Sequence, residues 1–280
     1  MRVAVTILVE NTTPDPKLVG EYGFAALVEV DDYRFLFDTG SRDALFVNAK
    51  TLGIDLDSIR DVVISHGHFD HTGGLESLLR ARKGRQVFIH PHAWLPKFVQ
   101  GMWGSDEPRF IGMKMTREEV EKLGSTAVEF TTVLELRPGL LISGEIPRTN
   151  AYEDTGGKFL YRREETNAYE TDLLPDDQAV FIDHPEGLIV ISGCAHAGLV
   201  NTLDYALKVT GRSRVQAFIG GTHLMTAGEQ RLEKTIEALE SYDIPRMIVA
   251  HCTGFYAAAR LYSRFGLRVQ KGETGFRFQV

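Results

Sequence analysis

At 280 residues, 43% hydrophobic and 25% charged, the composition is that of a soluble globular protein with one large or two small domains. A net charge of -7 excludes a general nucleic-acid binder, which needs a basic surface. No apolar run reaches the roughly 18 residues of a membrane helix, and two cysteines are too few for a disulfide framework.

Residues 1–9 alternate as a strand does and carry no signal-peptide cleavage pattern, so the expected compartment is a reducing cytoplasm. Turn formers at 11–16 break that strand. Residues 24–30 and 33–37 read as a hairpin around Asp31-Asp32, and the second strand runs into Asp38-Thr39-Gly40. Residues 44–52 have helical period and stop at Gly53. Val62, Val63 and Ile64 form a buried strand, followed by His66-Gly67-His68-Phe69-Asp70-His71-Thr72-Gly73-Gly74 and a helical segment over 75–82. A strand over 87–89 ends in His90-Pro91-His92. These two histidines have no third partner nearby in sequence and read as structural.

Residues 94–167 are the least regular stretch, with Trp94, Phe98, Trp103 and Phe110 in its first part. Thr116-Arg117-Glu118-Glu119 is a capping box that opens a helix over 116–123. Strands are expected at 131–136 and 140–143. Residues 144–167 are polar and irregular, and carry Arg148, Arg162 and Arg163. Such a segment suits an insert or lid, with its arginines meeting an anionic small-molecule substrate. Order then returns: a hairpin at 178–183 and 187–192, a helix at 199–209 ended by Gly211, a strand at 215–219, a helix at 229–241 and a strand at 246–250. Strands alternating with helices imply βαβ units.

The chemistry concentrates where strands stop. Three histidines and one aspartate fall within six positions after the strand at 62–64, in a chain with 9 histidines. Imidazole and carboxylate are ligands for zinc, iron and manganese. The span is too short for a helix to aim all four groups one way. A loop would splay them, with His66 and His68 to one side and Asp70 and His71 to the other, giving two adjacent metal positions. Three later strands also run through small residues into histidine, at His196, His223 and His251. Sites in α/β sheets gather at the carboxyl ends of strands, so these three can converge on one rim.

The run His-x-His-x-Asp-His followed by Gly-Gly resembles the signature of the metallo-β-lactamase superfamily. That resemblance implies an α/β fold, an αββα four-layer sandwich of two mixed sheets, formed by residues 1–280 as one domain with the insert at 94–167. It implies His66, His68 and His196 on one divalent metal, and Asp70, His71 and His251 on a second. Zinc is the expected metal, with manganese or iron as alternatives. Asp38-Thr39-Gly40 resembles the family's first motif, whose carboxylate orients the metal loop. One departure stands out: there is no late bridging aspartate, and its place falls to Cys194 or His223. A neutral imidazole cannot bridge two cations as a carboxylate does, whereas a thiolate can. Cys194-Ala195-His196, Gly220-Gly221-Thr222-His223-Leu224 and His251-Cys252-Thr253-Gly254 resemble a narrower branch. It includes the dihydropterin–ribofuranosylaminobenzene phosphate synthases of methanopterin biosynthesis.

The first reading is a metal-dependent hydrolase in which Asp70 orients the nucleophile or takes its proton and His223 protonates the leaving group. The second is a transferase of that branch, joining a dihydropterin to an aminobenzene ribofuranosyl phosphate. The third is a non-catalytic metal- or ligand-binding member, favoured only by the missing aspartate. The oxygen-reducing di-iron branch, which resembles His-x-Glu-x-Asp-His, is a poorer fit because position 68 is His.

Overall fold

A computed structural model describes residues 1–101, 104, 106–163 and 165–280; Trp103 lies outside the described residues. The chain divides into two compact units. The first comprises Met1–Thr131, Phe159–Asp172 and Glu273–Val280, and the second Thr132–Lys158 and Leu173–Gly272.

The first unit is built on the strands β1 (Val3–Val9), β2 (Ala25–Val30), β3 (Tyr33–Phe37), β4 (Asp61–Val63), β5 (Gln86–Ile89), β8 (Thr126–Glu129) and β18 (Arg277–Gln279). Their order is β18-β1-β2-β3-β4-β5-β8. The hairpin half is antiparallel, and β3, β4, β5 and β8 run parallel. Parallel neighbours need crossovers, and the helices α1 (Ala44–Thr51), α3 (Leu75–Ala81) and α4 (Arg117–Lys122) lie in them. Leu45, Leu75, Leu78 and Leu79 of the helices pack with Leu8, Leu36, Val62 and Val87 of the strands in one buried cluster. The predicted capping box is present: the Thr116 hydroxyl accepts from Glu119 N–H, and the Glu119 carboxylate accepts from Thr116 N–H.

A smaller sheet, β12-β11-β6-β7, joins β6 (Lys97–Gln100), β7 (Arg109–Phe110), β11 (Lys158–Arg162) and β12 (Tyr169–Thr171). It corrects two expectations. Residues 144–167 are not irregular throughout, since Lys158–Arg162 is a strand. The metal loop is also not all loop: Phe69–Thr72 forms a single helical turn, α2, that carries Asp70 and His71.

The second unit holds β9 (Leu134–Arg137), β10 (Leu140–Ile142), β13 (Ala179–His184), β14 (Gly187–Ser192), β15 (Val215–Gly220), β16 (Arg246–Val249) and β17 (Val269–Lys271). The order is β17-β16-β15-β14-β13-β10-β9. β14 to β17 run parallel, joined by α5 (Leu199–Thr210), α6 (Glu229–Tyr242) and α7 (Phe255–Phe265). Leu203, Leu232, Ile236 and Leu261 seat these helices on Val190 and Phe218 of the sheet. Three consecutive parallel strands therefore deliver their carboxyl ends, and the residues after them, to one edge.

Candidate metal centre

In the first unit, β3 and β4 are adjacent and parallel, so Asp38 and Ser65 leave the sheet side by side. Asp38 is fully buried and held in the left-handed region at φ +62°. Its Oδ1 accepts from Ser65 N–H at 2.7 Å, and its Oδ2 accepts from the Ser65 hydroxyl at 2.7 Å and from His71 Nδ1–H at 2.7 Å. The hydroxyl, having given its proton to Asp38, accepts from His66 Nδ1–H at 2.9 Å. This chain of bonds fixes both tautomers: His66 and His71 keep the proton on Nδ1 and present Nε2 with a lone pair.

Those lone pairs lie where a metal needs them. His66 Nε2 stands 3.0 Å from His68 Nδ1, and His71 Nε2 stands 3.7 Å from Asp70 Oδ2. Two donors each about 2.0–2.1 Å from one zinc ion lie roughly 3–4 Å apart. Both pairs meet that distance, and the donors are the nitrogen and oxygen atoms zinc accepts. A strand end followed by one helical turn thus sets His66 beside His68 and His71 beside Asp70, with the His66 and His71 rings themselves 4.2 Å apart. His68 also lies against Phe159 of β11, the rings tilted by 36° with centroids 5.2 Å apart.

In the second unit, β14, β15 and β16 run into His196, His223 and His251, all buried. His196 and His223 have ring centroids 4.1 Å apart. The backbone there is strained: Ala195, His223 and His251 have φ of +54°, +46° and +51°. Non-glycine residues in that region cost of order 1–3 kcal/mol each and gather at functional sites. His196 Nδ1 donates to the Thr155 carbonyl at 2.8 Å, which leaves the lone pair on Nε2.

Cys194 and Cys252 are buried and not disulfide-bonded, and a ring nitrogen of His223 and the two sulfurs all lie within 4.8 Å of one another. The Cys252 sulfur accepts from His223 N–H at 3.3 Å. Burial pushes the Cys252 thiol up, but Cys194 and the His251 and His223 imidazoles prevail and hold it well below the usual thiol range. Asp177, one strand away, accepts from Ala197 N–H, and burial raises its carboxyl to about 6.

Two residues of this chemistry were not singled out from the sequence: Ser65 relays Asp38 to His66, and Thr155 orients His196. Cys252, quoted only within its motif, faces Cys194. No local pattern marks a serine or threonine whose partner lies far along the chain. His92 Nδ1 lies 3.1 Å from Lys97 Nζ of β6 and 3.8 Å from Asp172, which follows β12. Arg148 donates to the carbonyls of Leu173 and His196.

The model of the Metallo-beta-lactamase superfamily matches residues 18–251. The chain is 33% identical, over 88% of its length and 85% of the relative's, to the 7,8-dihydropterin-6-methyl-4-(beta-D-ribofuranosyl)-aminobenzene-5'-phosphate synthase of Methanocaldococcus jannaschii. It is 27% identical to a second protein of that organism, MJ0448, over 92% of this chain and 93% of the other. Among solved structures it is similar to Tm1679, described as a metal-dependent hydrolase of the beta-lactamase superfamily, with a TM-score of 0.85, 27% identity and 99% of each chain covered. The α/β fold class expected from the His-x-His-x-Asp-His run is therefore the one found. With a family match over most of its length and the signature histidines set at strand ends, the chain belongs to the metallo-β-lactamase superfamily.

Proposed function

We propose that this protein is a divalent-metal-dependent hydrolase acting on a small, anionic ester or phosphoester. The observation that carries this reading is the Asp38–Ser65–His66 and Asp38–His71 hydrogen-bond chain, which sets two imidazoles with Nε2 toward a partner donor at bonding separation. The donors are those of the superfamily pattern: His66, His68 and His196 for one ion, and Asp70, His71 and His251 for the second. Zinc suits this set of nitrogen and carboxylate donors, and manganese or iron are its alternatives. Bound metal supplies the Lewis acidity that makes water a nucleophile near neutral pH.

The chain's own groups do the rest. Asp70, one carboxylate oxygen of which faces His71, orients the attacking water and accepts its proton. His223 donates a proton to the leaving oxygen. Asp38 keeps its proton-accepting contacts and so holds His66 and His71 in register through the cycle. Two cysteines outside any disulfide suit a reducing compartment such as the cytoplasm. Among the described residues no helix is long and apolar enough to cross a membrane.

A second reading is favoured by the 33% identity to the synthase: transfer of a dihydropterin to an aminobenzene carbon, using the same donors. Purified protein loaded with zinc, manganese or iron is assayed against phosphodiester and lactone panels and against a dihydropterin diphosphate. Hydrolysis in the panel supports the first reading, and turnover of the pterin only with the aromatic acceptor supports the second. His66→Ala and His68→Ala are expected to lose metal and activity; a variant retaining full metal content overturns the ligand assignment.

A further inference from the structure

We infer that residues 148–157 are a fixed strap that positions His196 and His223, with Glu153 as its key positioning residue. The inference rests on the reading of His196 as a metal ligand.

The strap is tied to the start of α5, a helix whose N-cap, Gly198, offers no side chain of its own. Glu153 takes over that capping role. Its carboxylate, 5% exposed, accepts from Val200 N–H at 2.9 Å, Asn201 N–H at 2.9 Å and the Asn150 amide at 2.8 Å. A carboxylate at a helix N-terminus gains both hydrogen bonds and the favourable end of the helix dipole. Asn201 returns the tie: its Oδ1 accepts from Thr149 N–H and Oγ1–H, each at 2.9 Å, and its amide donates to the Ala197 carbonyl at 2.8 Å. Asn150 Oδ1 closes the turn by accepting from Glu153 N–H at 3.0 Å. At the far end, Asp154 accepts from Gly156 N–H at 2.8 Å and from Arg231 of α6 at 2.5 Å.

Two atoms of the strap then meet the histidines. The Thr155 carbonyl accepts from His196 Nδ1–H, which decides which nitrogen of His196 keeps a lone pair. Gly156, at φ +82°, lies flat against His223: a Cβ there would come within 2.0 Å of His223 Cδ2. The Gly156 carbonyl is itself fixed by the Thr226 hydroxyl at 2.6 Å. Glu153 touches neither histidine. It acts by holding the backbone that does, so its removal should free the Thr155 carbonyl and let His196 exchange tautomers. Partners of ligating histidines of this kind typically contribute 10–100-fold to metal affinity.

The test measures zinc affinity by chelator competition, the visible spectrum of the cobalt-loaded protein, and the slowly exchanging His196 Nδ1–H proton by NMR, assigned by its absence in His196→Ala. Glu153→Ala is expected to weaken zinc about 10–100-fold, alter the cobalt spectrum and abolish that proton resonance. Asn150→Ala, a milder loosening of the same tie, is expected to do so in part and serves if Glu153→Ala does not fold. Ile236→Ala, a truncation in the α6 core, lowers stability and should leave zinc affinity and the resonance unchanged. Unaltered affinity and resonance in Glu153→Ala, or in Asn150→Ala where it stands in, overturn the inference. If His196→Ala itself keeps wild-type metal affinity, the metal-ligand reading fails first and the strap's purpose with it.

Discussion

Asp38 shows how one side chain governs several others. Three donors converge on its carboxylate, and each transmits order: Ser65 to His66, His71 directly, and the Ser65 backbone to the start of the metal run. Asp38→Asn keeps the volume but places an amide N–H against a donor. The expected result is a 10–100-fold loss of zinc affinity, read by chelator competition. It comes with about 1–3 kcal/mol of lost stability from the buried mismatch, read by urea unfolding. Asp177 gives a pH signature. Its carboxyl sits at about 6 when folded against 3.8 unfolded, because burial disfavours the charge. The folded state therefore holds the proton more tightly, and the stability this contributes is full below about pH 3.8 and lost as pH rises through about 6. Asp177→Asn should remove that slope: in metal-free protein, wild-type stability is expected to fall by about 2 kcal/mol relative to the variant between pH 4 and pH 7. His66 to His71 were legible because scarce ligating residues cluster after an apolar strand. Thr155 was not, since its role exists only through a contact 41 positions away.

Elements were legible in proportion to how plainly burial marks them. β1, β2, β14 and β15 are almost wholly buried and read directly as strands. β11 was missed because its residues range from exposed to buried within a polar stretch. α2 was missed because a single turn has no period to detect. α7 carries Phe255, Tyr256 and Tyr262 on its exposed face, so outward aromatics blur its inward stripe of Ala257, Leu261 and Phe265. α5 offers a sharp test. Its N-cap Gly198 has φ +106°, and a Cβ there would meet the Glu153 carboxylate at 2.2 Å. Gly198→Ala is expected to cost about 1–3 kcal/mol through backbone strain alone. Loss of the Glu153 cap adds to that, and both appear as a lowered thermal midpoint.

At the scale of the whole molecule, two sheets of seven strands each present parallel strand ends, and each carries part of the histidine set. Binding of metal to the folded state alone adds stability by mass action, about 2.7 kcal/mol at 100 times Kd. Zinc is therefore expected to raise the thermal midpoint of chelator-treated protein in a concentration-dependent way and to restore activity in parallel. The paired strands β1 and β18 carry one more implication, for how the chain is made. The sheet that opens with residues 3–9 is finished by residues 277–279. On the ribosome, at about 5–20 residues per second, the first unit waits on the order of ten seconds after Thr131 for its last strand. During that interval the outer backbone of β1 is an open hydrogen-bonding edge, the kind of surface that recruits neighbouring chains. The nascent protein is thus open to aggregation through that edge until β18 emerges, and chaperone dependence should track the emergence of β18 rather than of the histidines.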